Sequence, residues 1–277
     1  MDLKVTDAAQ GPIQAGACLL ACKSLTKTFN AGQATARPAL DGLDLAVNRG
    51  DFIVVIGSNG AGKSTLLNTI AGAIEPDTGT LSFDGRDITR LPAHRRAGMI
   101  ARVFQDPMIG TAAAMTMEEN LALAERRGKG HGFGFLLSAG GRKRYRDMLA
   151  GLELGMENRL STPVAQLSGG QRQALSLVMA SLSKPSLLLL DEHTAALDPR
   201  TADLVMTMTR RLVAEQALTT LMVTHNMRQA IETGNRLVMM DAGRVRDDIH
   251  GIEKSSLTPA DLVDKFKIEN DRMLLGS

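Results

Sequence analysis

Five consecutive apolar residues, 52–56 (Phe-Ile-Val-Val-Ile), run directly into Gly57-Ser58-Asn59-Gly60-Ala61-Gly62-Lys63-Ser64-Thr65, and residues 64–70 then follow with helical spacing. An apolar run without alternation predicts a strand covered on both faces, which a layered α/β sheet provides. Strand, glycine loop and helix, in that order, make a phosphate cradle. Glycines let the backbone wrap an anion with its amide hydrogens turned inward, and the helix N-terminus adds its positive end. Lys63 is spaced to reach the β and γ phosphates of a nucleoside triphosphate, and the Ser64 hydroxyl to ligate magnesium.

A second run, residues 187–190 (four leucines), ends in Asp191-Glu192. An acidic pair at the exit of a core strand supplies what a phosphate cradle lacks. Asp191 can hold the magnesium shell, and Glu192 can polarise the water that attacks the γ phosphorus. Strands are also expected over 17–29, 39–47, 79–83, 99–104, 218–223 and 236–240. Helices are expected over 117–126, 144–152, 170–182, 201–215 and, after Leu257-Thr258-Pro259, 260–266. The helical stretch between Gln105 and Lys184 reads as an insertion into the α/β core. The glycine-rich stretch 128–141, flanked by Arg126, Arg127, Lys129 and Arg142-Lys143-Arg144, reads as a surface excursion with solvent-facing charge.

The remaining composition excludes more than it adds. At 277 residues the chain can bury a full core, and a formal net charge of +2 gives no footprint for nucleic acid. No apolar run is long enough to cross a bilayer. Cys18 and Cys22 form neither a metal-ligand set nor a disulfide framework, so they read as small apolar side chains in a strand, and a cytoplasmic setting is expected.

A third segment, Leu167-Ser168-Gly169-Gly170-Gln171-Arg172-Gln173, stands shortly before the acidic pair. It resembles the signature motif of the ABC ATPases, and the resemblance extends over about residues 19–244. The fold it implies is α/β, a P-loop NTPase core of ABC-ATPase type with an inserted helical subdomain and an antiparallel β subdomain. The expected organisation is a flexible tail at 1–16, one ATPase domain at 17–245 with the helical part at about 106–180, and a short extension at 246–277. The resemblance also implies roles for further residues. Phe29 takes the position that stacks on adenine, Gln105 senses magnesium and links the subdomains, Asp198 belongs to a loop between subunits, and His225 contacts the γ phosphate. Two copies are expected head to tail, with residues 57–65 of one facing Ser168, Gly169, Gly170 and Gln171 of the other across ATP and Mg2+.

A single compact module of this family looks like the separate energiser of a bacterial transporter. Import of a small solute is expected, in a branch that looks related to amino-acid uptake systems; a stand-alone regulatory ATPase and an exporter energiser are the alternatives. The implied partners are an identical second subunit, transmembrane permease subunits and, through them, a periplasmic or surface solute-binding protein, with no nucleic acid. The chain would then sit peripherally on the cytoplasmic face of the membrane. A groove near Gln105 and residues 111–123 would receive a short permease helix, with Met115, Met117, Leu121 and Leu123 either lining that groove or packing inside the helical subdomain.

Overall fold

The computed structural model describes residues 17–33, 35–128, 139–262 and 264–265. The expected tail at 1–16, most of the basic excursion and part of the expected helix 260–266 lie outside the described residues. The chain opens with the strands β1 (Cys18–Phe29) and β2 (Arg37–Asn48), then β3 (Phe52–Gly57), helix α1 (Lys63–Ala71), β4 (Thr78–Phe83), β5 (Arg86–Asp87), α2 (Ala93–Arg96) and β6 (Ile100–Val103). Helices α3 (Met117–Glu125), α4 (Ala139–Ala150) and α5 (Gly169–Leu182) follow. The core then resumes with β7 (Leu187–Asp191), α6 (Pro199–Gln216), β8 (Thr219–Val223), α7 (Met227–Glu232), β9 (Arg236–Asp241), β10 (Arg244–His250) and α8 (Gly251–Ser256).

Two sheets result. One is antiparallel in the order β2-β1-β4-β5, and the other has the order β10-β9-β3-β8-β7-β6, parallel throughout except for its edge strand β10. The unbroken apolar runs are explained by what covers the parallel sheet. Ile53, Val55, Leu187, Leu189, Leu221 and Val223 pack with α1 and the antiparallel sheet on one face. Val54, Ile56, Leu188, Leu190 and Met222 pack with α3, α4, α5 and α6 on the other. Side chains alternate in direction along a strand, so a strand covered on both sides must be apolar at every position.

Parallel pairing fixes where function can sit. β3, β6, β7 and β8 all point the same way, so Gly57, Val103, Asp191 and Val223 end at one edge of the sheet, where open α/β sheets bind ligands. Arg96 ties the two sheets' layers together. It is 2% exposed and donates to the carbonyls of Leu91, Thr69, Ile70, Ile88 and Thr89. β10 carries the parallel sheet on to His250, opposite Arg236, so the sheet runs past the expected domain end at 245. Short-range alternation is weak in Arg-Val-Arg-Asp-Asp-Ile-His, and a polar edge strand gives little sequence signal.

Of the four residues offered for a permease groove, Met117 and Leu121 are fully buried in the core and Met115 is half-buried, whereas Leu123 is exposed. The helix α3 turns this apolar face inward because its start is fixed. Thr116 caps it reciprocally with Glu119, whose carboxylate accepts from the Thr116 backbone N–H at 2.8 Å.

Candidate nucleotide site

The glycine loop between β3 and α1 is shaped by close packing as well as by turning. A side-chain carbon on Gly57 would come within 2.4 Å of the Met240 carbonyl on β9. Gly62, at φ 96°, would meet the Ala39 carbonyl at 2.2 Å. The loop therefore lies pressed against β9 and β2, with Ser58, Asn59 and Gly60 on its exposed crest. Ala61 is buried beneath it, and its carbonyl accepts from the Gly243 N–H at 3.2 Å. At the start of α1 the amides of the first turn have no intrahelical acceptor, and Ser64 is exposed there beside the half-buried Thr65.

Lys63 is the centre of the loop. It is 7% exposed, and its Nζ donates to the Gly57 carbonyl at 2.7 Å and the Ser58 carbonyl at 2.9 Å. Burial lowers its pKa, while the nearby Glu192 and Asp191 carboxylates act in the opposite direction. The ammonium is thus buried, held by two carbonyls and flanked by two acids that stabilise its charge.

The acidic pair stands at the end of β7. Glu192 has a left-handed backbone, φ 43°, which costs a residue with a Cβ about 1–2 kcal/mol. The turn sends its N–H to the Val223 carbonyl on β8 at 3.0 Å. Its Oε2 lies 3.2 Å from His225 Nδ1. His225 is exposed but its neighbours are anchored: Asn226 caps α7 by accepting from the Gln229 N–H at 3.1 Å, and its own N–H donates to Thr224 Oγ1 at 3.1 Å. Glu192, His225, Thr224 and Asn226 line one open cavity.

The other expected residues fall in several places. Gln105 is exposed just beyond β6, and Phe29 is 41% exposed at the end of β1, paired with Arg37. Ser168 caps α5 reciprocally with Gln171, so both polar side chains already serve the helix start. Gly169 is exposed and Gly170 is buried against Thr201 of α6. Asp198 caps α6, accepting from the Thr201 N–H at 3.1 Å, and the Thr201 hydroxyl, followed by that N–H, lowers its carboxyl pKa. Among the described residues no side-chain hydrogen bond or ion pair joins 168–171 to 57–65.

Three residues to which no role is assigned from the sequence shape this edge. Gln173, 1% exposed on α5, donates to the Phe104 carbonyl at 3.2 Å and so fixes the strand exit before Gln105. His193 is buried, and burial pushes its pKa down to about 4. Its Nε2 lies 3.0 Å from Thr209 Oγ1, which already donates to the Val205 carbonyl, so the neutral ring donates from Nε2 and ties the loop after Glu192 to α6. Arg102 bonds Asp191 Oδ2 at 2.6 Å. Polar residues in a strand or helix interior announce nothing in sequence; only the tertiary partner reveals their use.

A glycine loop between a central parallel strand and a helix, with an acidic strand end beside it, defines a P-loop nucleoside triphosphatase. Residues 40–195 match the family model described as ABC transporter. Over 254 residues the chain is 42% identical to the tyrosine transport ATP-binding protein of Clostridioides difficile, covering 90% of this chain and 99% of that protein. It is 35% identical to the methionine import ATP-binding protein MetN of Rhizobium etli, over 77% of this chain and 57% of MetN. It is 34% identical to the spermidine/putrescine import ATP-binding protein PotA of Thermobifida fusca, over 82% and 56%. The chain thus spans little more than half of these last two. Among solved structures it resembles a dimeric ATP-binding cassette in a post-hydrolysis state bound to ADP and Pi, with a TM-score of 0.71 at 28% identity over 84% of this chain and 98% of that one. It also resembles a cassette in its ADP conformation, with a TM-score of 0.72 at 26% identity over 88% and 95%.

The chain belongs to the ABC transporter family, as an ATP-binding and ATP-hydrolysing subunit. Its antiparallel sheet and helical insertion are those of an ABC ATPase. No helix among the described residues is long and apolar enough to cross a membrane.

Proposed function

We propose that this chain energises a bacterial importer of a small solute, working as a pair of identical subunits on the cytoplasmic face of permease subunits. The observation that carries the chemistry is the common edge on which Lys63, Asp191, Glu192 and His225 stand. The loop amides of 57–65 and the Lys63 ammonium hold the β and γ phosphates of ATP, and Phe29, exposed at a strand end, offers an adenine platform.

Ser64, Gln105 and Asp191 present a hydroxyl, an amide and a carboxylate, a hard-oxygen set that suits Mg2+. When bound, Mg2+ supplies charge neutralisation on the β and γ phosphates. Glu192 accepts the proton of the attacking water as its oxygen bonds the γ phosphorus and the bond to the ADP oxygen breaks. His225, 3.2 Å away, orients that carboxylate and faces the γ phosphate.

In the pair, Ser168, Gly169, Gly170 and Gln171 of one subunit cover the ATP of the other, with the start of α5 directed at the γ phosphate. Asp198 lies at the join. Closure on ATP and release after hydrolysis would be passed to the permease. The similarity to a tyrosine transport subunit supports an amino acid as the solute class, with recognition left to the permease and to a solute-binding protein. Replacing Glu192 with Gln tests the chemistry. Hydrolysis should fall by at least about 100-fold while ATP-dependent pairing, read by size-exclusion chromatography, is retained. Near-normal turnover would remove Glu192 from this role.

A further inference from the structure

Arg102 on β6 is placed where a core strand leaves its apolar layers. Its neighbours Ala101 and Val103 pack toward the helical face, so Arg102 turns to the opposite face, where α1 lies. The side chain is only 12% exposed. Nη2 donates to Asp191 Oδ2 at 2.6 Å and Nη1 to Asn68 Oδ1 at 2.6 Å. The guanidinium carbon stands 4.7 Å from the centre of the Phe104 ring. The third nitrogen, Nε, is buried without a partner.

Asn68 lies four residues after Ser64, one turn further along the same face of α1. The guanidinium is therefore pinned between the helix face that carries Ser64 and the carboxylate of Asp191. Those are the two residues that bracket the cation in the function proposed above, and the inference rests on that reading. We infer that Arg102 is a built-in competitor for the divalent cation: it holds one oxygen of Asp191 and fixes a permanent positive charge beside the cation's seat.

Two physical facts give the effect its sign. A guanidinium stays protonated at any working pH, so this charge cannot be titrated away. A fixed unit charge a few ångströms from a divalent ion repels it strongly in a partly dry site, and a carboxylate oxygen bonded to Arg102 has fewer lone pairs to offer. Free cation is thus held weakly. ATP, by bringing the negative charge of its phosphates, outweighs the guanidinium, so the metal is retained chiefly together with nucleotide. Arg102 acts through Asp191 and is a positioning residue. Its packing on Phe104, directly before Gln105, puts the same guanidinium in contact with the segment that carries the amide ligand.

The test reads metal rather than turnover. The full chain is titrated with Mn2+, followed by the electron paramagnetic resonance of free Mn2+, with and without a non-hydrolysable ATP analogue; nucleotide binding without metal is measured alongside. Arg102→Met should tighten Mn2+ binding about tenfold, equivalent to about 1.4 kcal/mol. Arg102→Lys, which keeps a charge, should stay near the parent protein. Should the Met variant fail to fold, Asn68→Ala gives the second reading: freed from α1, Arg102 leaves Asp191 more readily and Mn2+ affinity rises severalfold. An Arg102→Met affinity within twofold of the parent, or equal gains from Met and Lys, would overturn the competitor role while leaving the nucleotide site intact. Absence of nucleotide binding in the parent protein would instead overturn the proposed function, and this inference with it.

Discussion

Gly169 and Gly170 are adjacent, and the family resemblance gives them the same task, yet their surroundings differ in a way that stability can measure. A side-chain carbon on Gly169 would sit 3.7 Å from Leu197 Cδ2, an ordinary contact. On Gly170 it would sit 2.2 Å from Thr201 Cγ2, deep inside contact distance, although 3.6 Å from Thr201 Cβ and 3.8 Å from Oγ1. Both glycines open α5 without a left-handed φ, so replacing either with Ala brings a helix-propensity and unfolded-state gain of about 0.4–1 kcal/mol.

Gly169→Ala should therefore be neutral or slightly stabilising. Gly170→Ala must move Thr201 or part α5 from α6, at about 1–3 kcal/mol for overpacking, or rotate Thr201 off its rotamer at about 0.5–1.5 kcal/mol. A net loss of about 1–2 kcal/mol is expected. Thr201→Ser removes the one offending methyl, so the double variant should regain the parent's stability, with a coupling of about 1–2 kcal/mol between the sites. Urea midpoints at constant m-value give the four corners of the cycle. Effects of the two substitutions that add within about 0.5 kcal/mol, or a Gly170→Ala variant as stable as Gly169→Ala, would refute the packing argument.

Arg96→Met should cost about 3–5 kcal/mol, because five backbone carbonyls lose a buried cationic donor, and a thermal shift of only a degree or two would contradict this. In the native protein a thiol reagent should label exposed Cys18 quickly and buried Cys22 only after unfolding; equal rates would show that β1 opens readily. Burial pushes the Cys22 thiol up to about 12 from 9.0. The unfolded thiol therefore ionises first, and stability held below pH 9 should fall as pH rises from 9 toward 12, by up to about 1.4 kcal/mol per pH unit. Cys22→Val should remove that part of the slope; an unchanged alkaline profile would point to other groups.

The layered α/β fold was legible in residues 52–65 and 187–192, because a strand covered on both faces leaves no polar position and a phosphate loop needs glycines at fixed spacing. The elements with strong period were legible as well. The polar edge strand β10 and the short helices α2, α7 and α8 were not, since their few turns and mixed faces carry little periodicity.

Within the candidate site the sequence named the chemical groups: an ammonium at 63, carboxylates at 191 and 192, an imidazole at 225. It could not say which of them touch. Parallel pairing of β3, β8 and β7 put them on one edge, and the left-handed turn at Glu192 brought its carboxylate to His225. Arg102, Gln173 and His193 acquired their roles from partners 34 to 89, 69 and 16 residues away along the chain. Sequence by itself determined the glycine loop and the chemical groups it carries, because backbone shape and functional groups there are local properties. Tertiary structure decided which charges face one another, because the sign and strength of an electrostatic contact depend on distance through space and on burial, and neither is written in local spacing.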